Sequence, residues 1–149
     1  MKDDIKIQLK EYYNFWFGMN NLYEFWSKKH NLSYYSLFVL YIIKENQEKC
    51  TQKMICDQLL LPKQTVNTIL NSFEKNGHVI KTVDERNKRT KLISFTKEGE
   101  AYSENILNEL EQFEVKAMLK MTSEQRTQMS EINNLSLKCF EEAFDELYK

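Results

Sequence analysis

The sequence predicts a mainly α-helical protein with one small β-hairpin. Its 149 residues include only one proline and three glycines, too few for the many turns of a sandwich or a doubly wound sheet. Apolar residues instead recur every three or four positions along most of the chain, as they do on the buried face of a helix. The exception is the segment 78–95, where two runs rich in β-branched and apolar residues flank a charged stretch. With 42% hydrophobic residues, residues 1–149 are expected to form one globular domain.

Motifs and composition argue against several functional classes. The sequence has no glycine-rich phosphate loop, no GxSxG and no HExxH, and His30 and His78 stand without a neighbouring nucleophile or ligand pattern. We therefore expect neither enzymatic activity nor a cofactor. Cys50, Cys56 and Cys139 form no CxxC pair, so they are expected to be ordinary thiols rather than metal ligands. No apolar stretch approaches the roughly 18 residues that cross a bilayer, and no secretory signal is evident, so we expect a cytoplasmic protein without membrane contact.

Two long apolar patterns open the chain. The first helix is predicted over residues 4–29, where large apolar residues are spaced by three and four. These are Leu9, Tyr12, Tyr13, Trp16, Met19, Tyr23 and Trp26. The second helix is capped by Asn31 or Ser33, and its apolar run over residues 37–43 predicts a central, buried helix.

A short third helix is predicted next. Thr51 is its expected N-cap, and Met54, Ile55 and Leu59 form its apolar stripe. Pro62 is expected to end it, because proline cannot continue a helix.

The fourth helix can be divided into two faces by position. Pro62 suits its first turn, and Gly77 supplies its C-terminal stop. The apolar residues at i, i+3, i+4 and i+7 form the buried stripe: Val66, Ile69, Leu70 and Phe73. A polar set with the same spacing, rotated by about 200°, faces away from the core: Gln64, Asn67, Thr68 and Asn71. Amides and hydroxyls of this kind can read base edges in a major groove, although any solvated helix also has a polar face.

The residues after the fourth helix predict the hairpin. "HVIKTV" and "TKLISF" resemble strands, and the six-residue tip "DERNKR" between them contains no glycine. We predict an extended loop there rather than a two-residue turn. The order of helix, tight connection, helix and hairpin is that of a winged helix-turn-helix, whose second helix enters the major groove while the hairpin reaches phosphates or the minor groove. The alternative is a solvated loop in which Asp84 and Glu85 neutralise their neighbouring arginines.

Charge is distributed unevenly along the chain. Residues 1–61 carry 8 Lys+Arg and 7 Asp+Glu, residues 62–97 carry 8 and 3, and residues 98–149 carry 5 and 12, giving net charges of +1, +5 and −7. The basic central segment favours a phosphate-binding surface. We predict contacts with double-stranded DNA from ten residues of this segment: Lys63, Gln64, Thr65, Asn67, Thr68, Asn71, Arg86, Lys88, Arg89 and Lys91.

The remaining sequence predicts two further helices. "KEGEAYSENILNELEQFEVKAMLKM" has an apolar side comprising Ile106, Leu107, Leu110, Phe113, Ala117 and Met121. Thr122 and Gln125 have the spacing of a capping box that starts the last helix. The apolar face of that helix comprises Met129, Ile132, Phe140, Ala143, Phe144 and Leu147. A second subunit would cover this face; packing on the chain's own first helix is the alternative.

The segments "LPKQTVNTILNSFEKNGHV", "DERNKRTKLISFT" and "TKEG" together resemble the MarR-type regulators, a family of winged helix-turn-helix repressors. The resemblance implies long dimerisation helices at both termini (1–30 and 97–149) around a winged helix-turn-helix (31–96). It also implies a homodimer that binds a pseudo-palindromic operator, with Arg89 in the position of the wing arginine that enters the minor groove. Asn87 stands where the family usually has an acidic residue that braces an arginine, and Asp84 is a possible substitute. The competing hypothesis is a helical dimer that acts as a protein-interaction module without reading DNA.

The aromatic residues near the N-terminus suggest an effector site. Members of the resembled family often sense phenolic or lipophilic compounds between the dimer helices and the DNA-binding lobe. Tyr12, Trp16, Trp26 and Tyr34 combine apolar rings with polar handles, which suits a small aromatic or lipophilic ligand. Ordinary packing in a core or an interface is the alternative for each of them.

Overall fold

The computed structural model describes residues 2–148, which form six α-helices and one two-stranded antiparallel sheet. In chain order the elements are α1 Lys2–Lys29, α2 Tyr34–Glu45, α3 Gln52–Leu59, α4 Lys63–Lys75, β1 Val79–Asp84, β2 Asn87–Phe95, α5 Lys97–Met118 and α6 Ser123–Tyr148. The predicted class, mainly α with a small β-hairpin, is confirmed. The chain divides into two compact units whose boundary falls within α5, between residues 107 and 108. None of these helices combines the length and apolar character that crossing a membrane requires.

The helix α2 is the centre of the first unit, as its apolar run predicts. Leu37, Leu40 and Ile43 are completely buried, and each contributes about 1.5–3 kcal/mol through the hydrophobic effect. The helix packs against α1, α3, α4 and β2. Of the two predicted caps, Ser33 is the one used: its hydroxyl accepts a hydrogen bond from the Ser36 amide at 3.1 Å. This arrangement gives the helix-turn-helix elements a common apolar base.

The helix α3 starts as predicted but ends earlier. Thr51 caps it by accepting a hydrogen bond from the Met54 amide at 3.1 Å. The helix ends at Leu59 because Leu60 adopts a left-handed conformation with φ of 52°. Pro62, expected both to stop α3 and to suit the first turn of α4, lies three residues after α3 and immediately precedes α4. A leucine rarely adopts this conformation, so the sequence gives no warning of the earlier stop.

The hairpin has a tighter tip than the sequence suggests. Only Glu85 and Arg86 separate β1 from β2, so the predicted extended loop is wrong. The carboxylate of Asp84 accepts a hydrogen bond from the Arg86 amide at 2.9 Å, and the Asn87 side-chain oxygen accepts one from the Arg89 amide at 3.2 Å. Such side-chain turns replace the glycine that a two-residue connection otherwise needs. The register then shifts between β1 and β2 next to the tip, which makes the wing irregular there.

A close backbone contact fixes the wing to the first turn of α5. Thr96 donates from its hydroxyl to the Gly77 carbonyl oxygen at 2.5 Å and from its amide to the His78 carbonyl oxygen at 3.1 Å. The Thr96 hydroxyl also accepts from the Gly99 amide at 2.9 Å, which caps α5. Gly77 itself has φ of 74°, which favours glycine and ends α4 as predicted.

The second unit begins within α5 and continues through α6. The helix α5 ends at Met118, so Met121, predicted on its apolar side, lies in the connection between the two helices. The predicted capping box is confirmed: Gln125 donates from its amide to the Thr122 hydroxyl at 3.1 Å, and Thr122 donates from its amide to the Gln125 side-chain oxygen at 2.9 Å. These reciprocal bonds start α6.

Candidate nucleic-acid interface

The helix α4 has one buried apolar face and one exposed polar face. Val66, Leu70 and Phe73 are buried beneath it, and Ile69 is half-buried. The six predicted contact residues on α4 are all exposed: Lys63, Gln64, Thr65, Asn67, Thr68 and Asn71. The burial therefore agrees with the two faces derived from sequence spacing. Side chains on a rigid helix can be held in one register along a groove.

The turn between α3 and α4 is fixed by a residue that sequence reasoning missed. Gln52, the first residue of α3, donates from its side-chain amide to the Lys63 carbonyl oxygen at 3.0 Å. This bond connects the starts of the two helices of the helix-turn-helix. Gln52 has no motif of its own, and only the angle between the helices brings it to Lys63.

The basic residues of the wing differ in how they are held. Arg86 lies 3.5 Å from the Asp84 carboxylate through its Nε, and its side chain remains 81% exposed. Asp84 therefore contacts a wing arginine, which is the role that the family resemblance gives to an acidic residue at position 87. Lys88, Arg89 and Lys91 are exposed and form no ion pair with any residue in 2–148. Internal neutralisation of the wing is thus limited to Arg86, and three cationic side chains remain available.

Part of the wing and the start of α4 border one concave surface. This surface encloses about 770 Å³ and is lined by Thr51, Gln52, Lys53, Cys56, Lys63, Arg89, Thr90 and Lys91. Three predicted contact residues, Lys63, Arg89 and Lys91, are therefore brought together, while Arg86 and Lys88 stand at the wing tip outside it. Lys53 was not predicted; its hydrogen bond to Asp57 raises its pKa. Four of the lining side chains are cationic and none is acidic, which favours contact with phosphates.

Two polar side chains on α4 already have partners within the protein. The Thr68 hydroxyl donates to the Gln64 carbonyl oxygen at 3.0 Å. The Asn71 side-chain oxygen accepts a hydrogen bond from Lys81 Nζ at 2.6 Å, and the same ammonium lies 2.8 Å from the Glu74 carboxylate. Lys81 was not predicted as a site residue, because the contact depends on where β1 begins relative to α4.

The four predicted effector residues do not form one cluster in a single chain. Trp16 and Tyr34 line a groove of about 550 Å³, and the Tyr34 hydroxyl donates to the Asn20 side-chain oxygen at 3.5 Å. Partial burial raises the pKa of Tyr34 above its ordinary value. Trp26 instead stacks on His30, with ring centroids 4.0 Å apart. Tyr12 packs edge-on against Tyr13 and does not line the groove.

Sequence comparison connects this geometry to a known family. Residues 30–90 match the sequence model of the MarR family. Over 108 residues the chain is 32% identical to the HTH-type transcriptional regulator SarZ of Staphylococcus aureus, an alignment that covers 72% of this chain and 70% of SarZ. The protein belongs to the MarR family. As a MarR family member it is a winged-helix, DNA-binding transcriptional regulator, and the resemblance inferred from sequence is confirmed.

Solved structures of MarR-type proteins share the fold. NMB1585, a MarR family regulator from Neisseria meningitidis, superposes with a TM-score of 0.76 at 24% identity, covering 93% of this chain and 97% of that one. The MepR protein of a Staphylococcus aureus MepR-DNA complex gives a TM-score of 0.71 at 19% identity, with coverage of 88% and 96%. At these identities the likeness establishes the fold.

Proposed function

We propose that this MarR family protein is a homodimeric repressor that binds a pseudo-palindromic operator through α4 and the wing. The main support for this proposal is that the amide-rich face of α4 is exposed, as are the unpaired wing cations Lys88, Arg89 and Lys91. Amides suit base edges in the major groove, and cations suit phosphates and the minor groove. The DNA-bound structure of MepR, which has the same fold, supports this assignment.

The exposed apolar surface of α6 supports a homodimer. The helix buries none of its 26 residues, although Ile132, Leu135, Phe144 and Leu147 are 59–75% exposed. Most of the stability of a helix in a protein comes from the packing of an apolar face rather than from helix propensity. A second copy that covers this face would bury it as an obligate dimer interface does.

The exposed apolar surface of α1 supports the same conclusion. Ile5, Trp16, Phe17 and Phe25 are 50–66% exposed, and large aromatic residues are typical of buried interfaces rather than of free surfaces. The terminal segments 1–30 and 97–149 are therefore proposed as the dimerisation helices. A two-fold dimer would present two copies of α4 to two half-sites, which accounts for a pseudo-palindromic operator.

A small aromatic or lipophilic ligand is proposed to relieve repression. The groove beside Trp16 and Tyr34 offers an indole, a phenol hydroxyl and the Glu24 carboxylate within one opening. Glu24 also accepts a hydrogen bond from the Tyr34 amide at 3.1 Å, so it fixes the start of α2. Ligand binding there would act on the helix that supports α4.

Binding to DNA from upstream of the coding sequence tests the proposal. Fluorescence anisotropy with a labelled duplex should show an affinity that falls steeply with salt, because each phosphate contact releases about one counterion. A scrambled duplex of equal length is the control and should bind at least about a thousandfold more weakly. Sedimentation at micromolar concentration should show a dimer. Absent binding, or an affinity that does not change with salt, would favour a protein-interaction module. Equal affinity for both duplexes would contradict sequence-specific binding, and a folded monomer would contradict the dimer.

A further inference from the structure

The contact between Lys81 and Asn71 bears on which bases the recognition helix accepts. The ammonium of Lys81 carries donors only, so the atom of the Asn71 amide that faces it at 2.6 Å must be the oxygen. Lys81 is itself held by Glu74 at 2.8 Å, and its side chain is only 14% exposed. In the chain without DNA, this contact therefore orients the Asn71 amide with its oxygen toward Lys81.

An oriented asparagine amide offers DNA a different set of hydrogen-bond donors and acceptors from an amide that can rotate. A free asparagine bonds adenine through two atoms: its oxygen accepts from the adenine amino group, and its nitrogen donates to N7. In Asn71 the oxygen accepts from Lys81, whereas the amide NH₂ group donates to no residue in the described range 2–148 and remains available. The adenine amino group is a donor, as is the NH₂ group that Asn71 presents, so these two groups do not form a hydrogen bond. Guanine presents two acceptors, N7 and O6, at the same edge.

Asn67 on the same face provides an internal comparison. Its side chain is exposed and forms no hydrogen bond with any residue in the described range 2–148. It can therefore rotate to make the bidentate adenine contact. Asn67 and Asn71 are four residues apart, about 6 Å along the helix axis, so the two amides reach different base pairs.

We propose that Lys81 is a positioning residue that makes Asn71 a donor-only reader, which selects guanine over adenine at one base pair of each half-site. The proposal rests on the proposed function, because it requires that α4 enters a major groove. It goes beyond that function by assigning a base preference to one side chain. Lys81 itself contributes through Asn71, since its charge is already paired with Glu74.

Selection from a randomised duplex library, followed by sequencing, tests this proposal. The variants are Lys81→Met, Lys81→Arg, Asn71→Ala and the double variant Lys81→Met with Asn71→Ala. The matched control is Lys75→Met, which removes an exposed charge from the end of α4, the helix that carries Asn71. Thermal melting checks that each variant folds.

The wild type should favour guanine over adenine by at least about fivefold at the position whose preference is lost in Asn71→Ala. Lys81→Met should bring that ratio to about one or reverse it, because the amide becomes free to rotate. Lys81→Arg retains donors and should keep the guanine preference, as should Lys75→Met. The double variant should match Asn71→Ala, since Lys81 acts only through Asn71.

Two results would overturn the inference while leaving the proposed function intact. One is a wild-type preference for adenine at the Asn71 position; the other is an unchanged ratio in folded Lys81→Met. The wild-type and Asn71→Ala libraries decide the base preference even where Lys81→Met does not fold. A wild-type library without any enriched sequence would instead overturn the proposed function, and this inference with it.

Discussion

Replacing Gly99 by alanine tests whether close backbone contact fixes the wing relative to α4. A Cβ at this position would lie 1.7 Å from the His78 carbonyl oxygen and 2.5 Å from its carbonyl carbon. Ordinary van der Waals contact begins at 3.4 Å. Relieving the 1.7 Å contact with the carbonyl oxygen therefore requires a backbone movement of roughly 1.7 Å in one of the two segments. His78 lies between α4 and β1, so this movement displaces the hairpin.

The magnitude follows from what the displacement breaks. The bonds from Thr96 to the carbonyl oxygens of Gly77 and His78 are both at this contact, and each contributes about 0.5–1.5 kcal/mol. Steric overpacking adds about 1–3 kcal/mol. We expect Gly99→Ala to lower the free energy of unfolding by about 2–6 kcal/mol and the Tm by on the order of 10 °C. Operator affinity should fall about tenfold at temperatures where the variant is folded, because α4 and the wing no longer fit one duplex.

Gly18→Ala is the matched control for this experiment. Gly18 lies within α1, and a Cβ added there meets nothing within 4 Å in the chain. Alanine is the better helix former by about 1 kcal/mol, so this variant should melt at the same or a higher temperature. Calorimetry measures both variants. If the Tm of Gly99→Ala lay within about 2 °C of the wild-type Tm, the close backbone contact would be refuted.

Three further predictions concern the wing, a thiol and a helix cap. Lys88→Ala should weaken binding to all duplexes and lower the salt slope by about one unit, because one phosphate contact releases about one counterion. Arg89→Ala should cost more on operators with A·T-rich flanks than on operators with G·C-rich flanks, because narrow minor grooves favour arginine; equal affinities of wild type and Arg89→Ala on both operators would argue against a minor-groove contact. Burial raises the pKa of Cys50 to about 11, so at pH 8 this thiol stays protonated, and a disulfide reagent should modify no more than two of the three cysteines until the protein unfolds; rapid reaction of all three would be inconsistent with that burial. Thr122→Ala should lower the free energy of unfolding by about 1 kcal/mol in urea titrations, because it removes the cap of α6; no change would mean that the capping box contributes nothing.

Periodicity and caps were readable from the sequence because they depend on neighbours within one turn. The buried and exposed faces of α4 follow from a 3.6-residue repeat, and the caps Ser33 and Thr51 act over three residues. The hairpin tip was misjudged because Asp84 and Asn87 form it through bonds to backbone amides. A rule based on glycine does not capture such side-chain turns.

The interface was predictable only in part for a similar reason. Exposed polar residues of α4 and wing cations can be identified by spacing and charge. Gln52 and Lys81 could not be, because each acts across a junction between elements. Their partners depend on the angle between α3 and α4 and on the register at which β1 leaves α4. The end of α3 could not be predicted either, because Leu60 adopts a left-handed conformation that leucine rarely takes.

The central claim is that α4 reads base edges, and the ratio of two affinities tests it most directly. Asn67→Ala and Gln64→Ala alter exposed side chains on the polar face of α4. Each should weaken binding to the operator by about 1–3 kcal/mol and leave binding to a scrambled duplex nearly unchanged. The specificity ratio should therefore fall by roughly fivefold to a hundredfold at constant salt. Equal losses on both duplexes would contradict base reading by α4 and assign these side chains to the phosphate backbone.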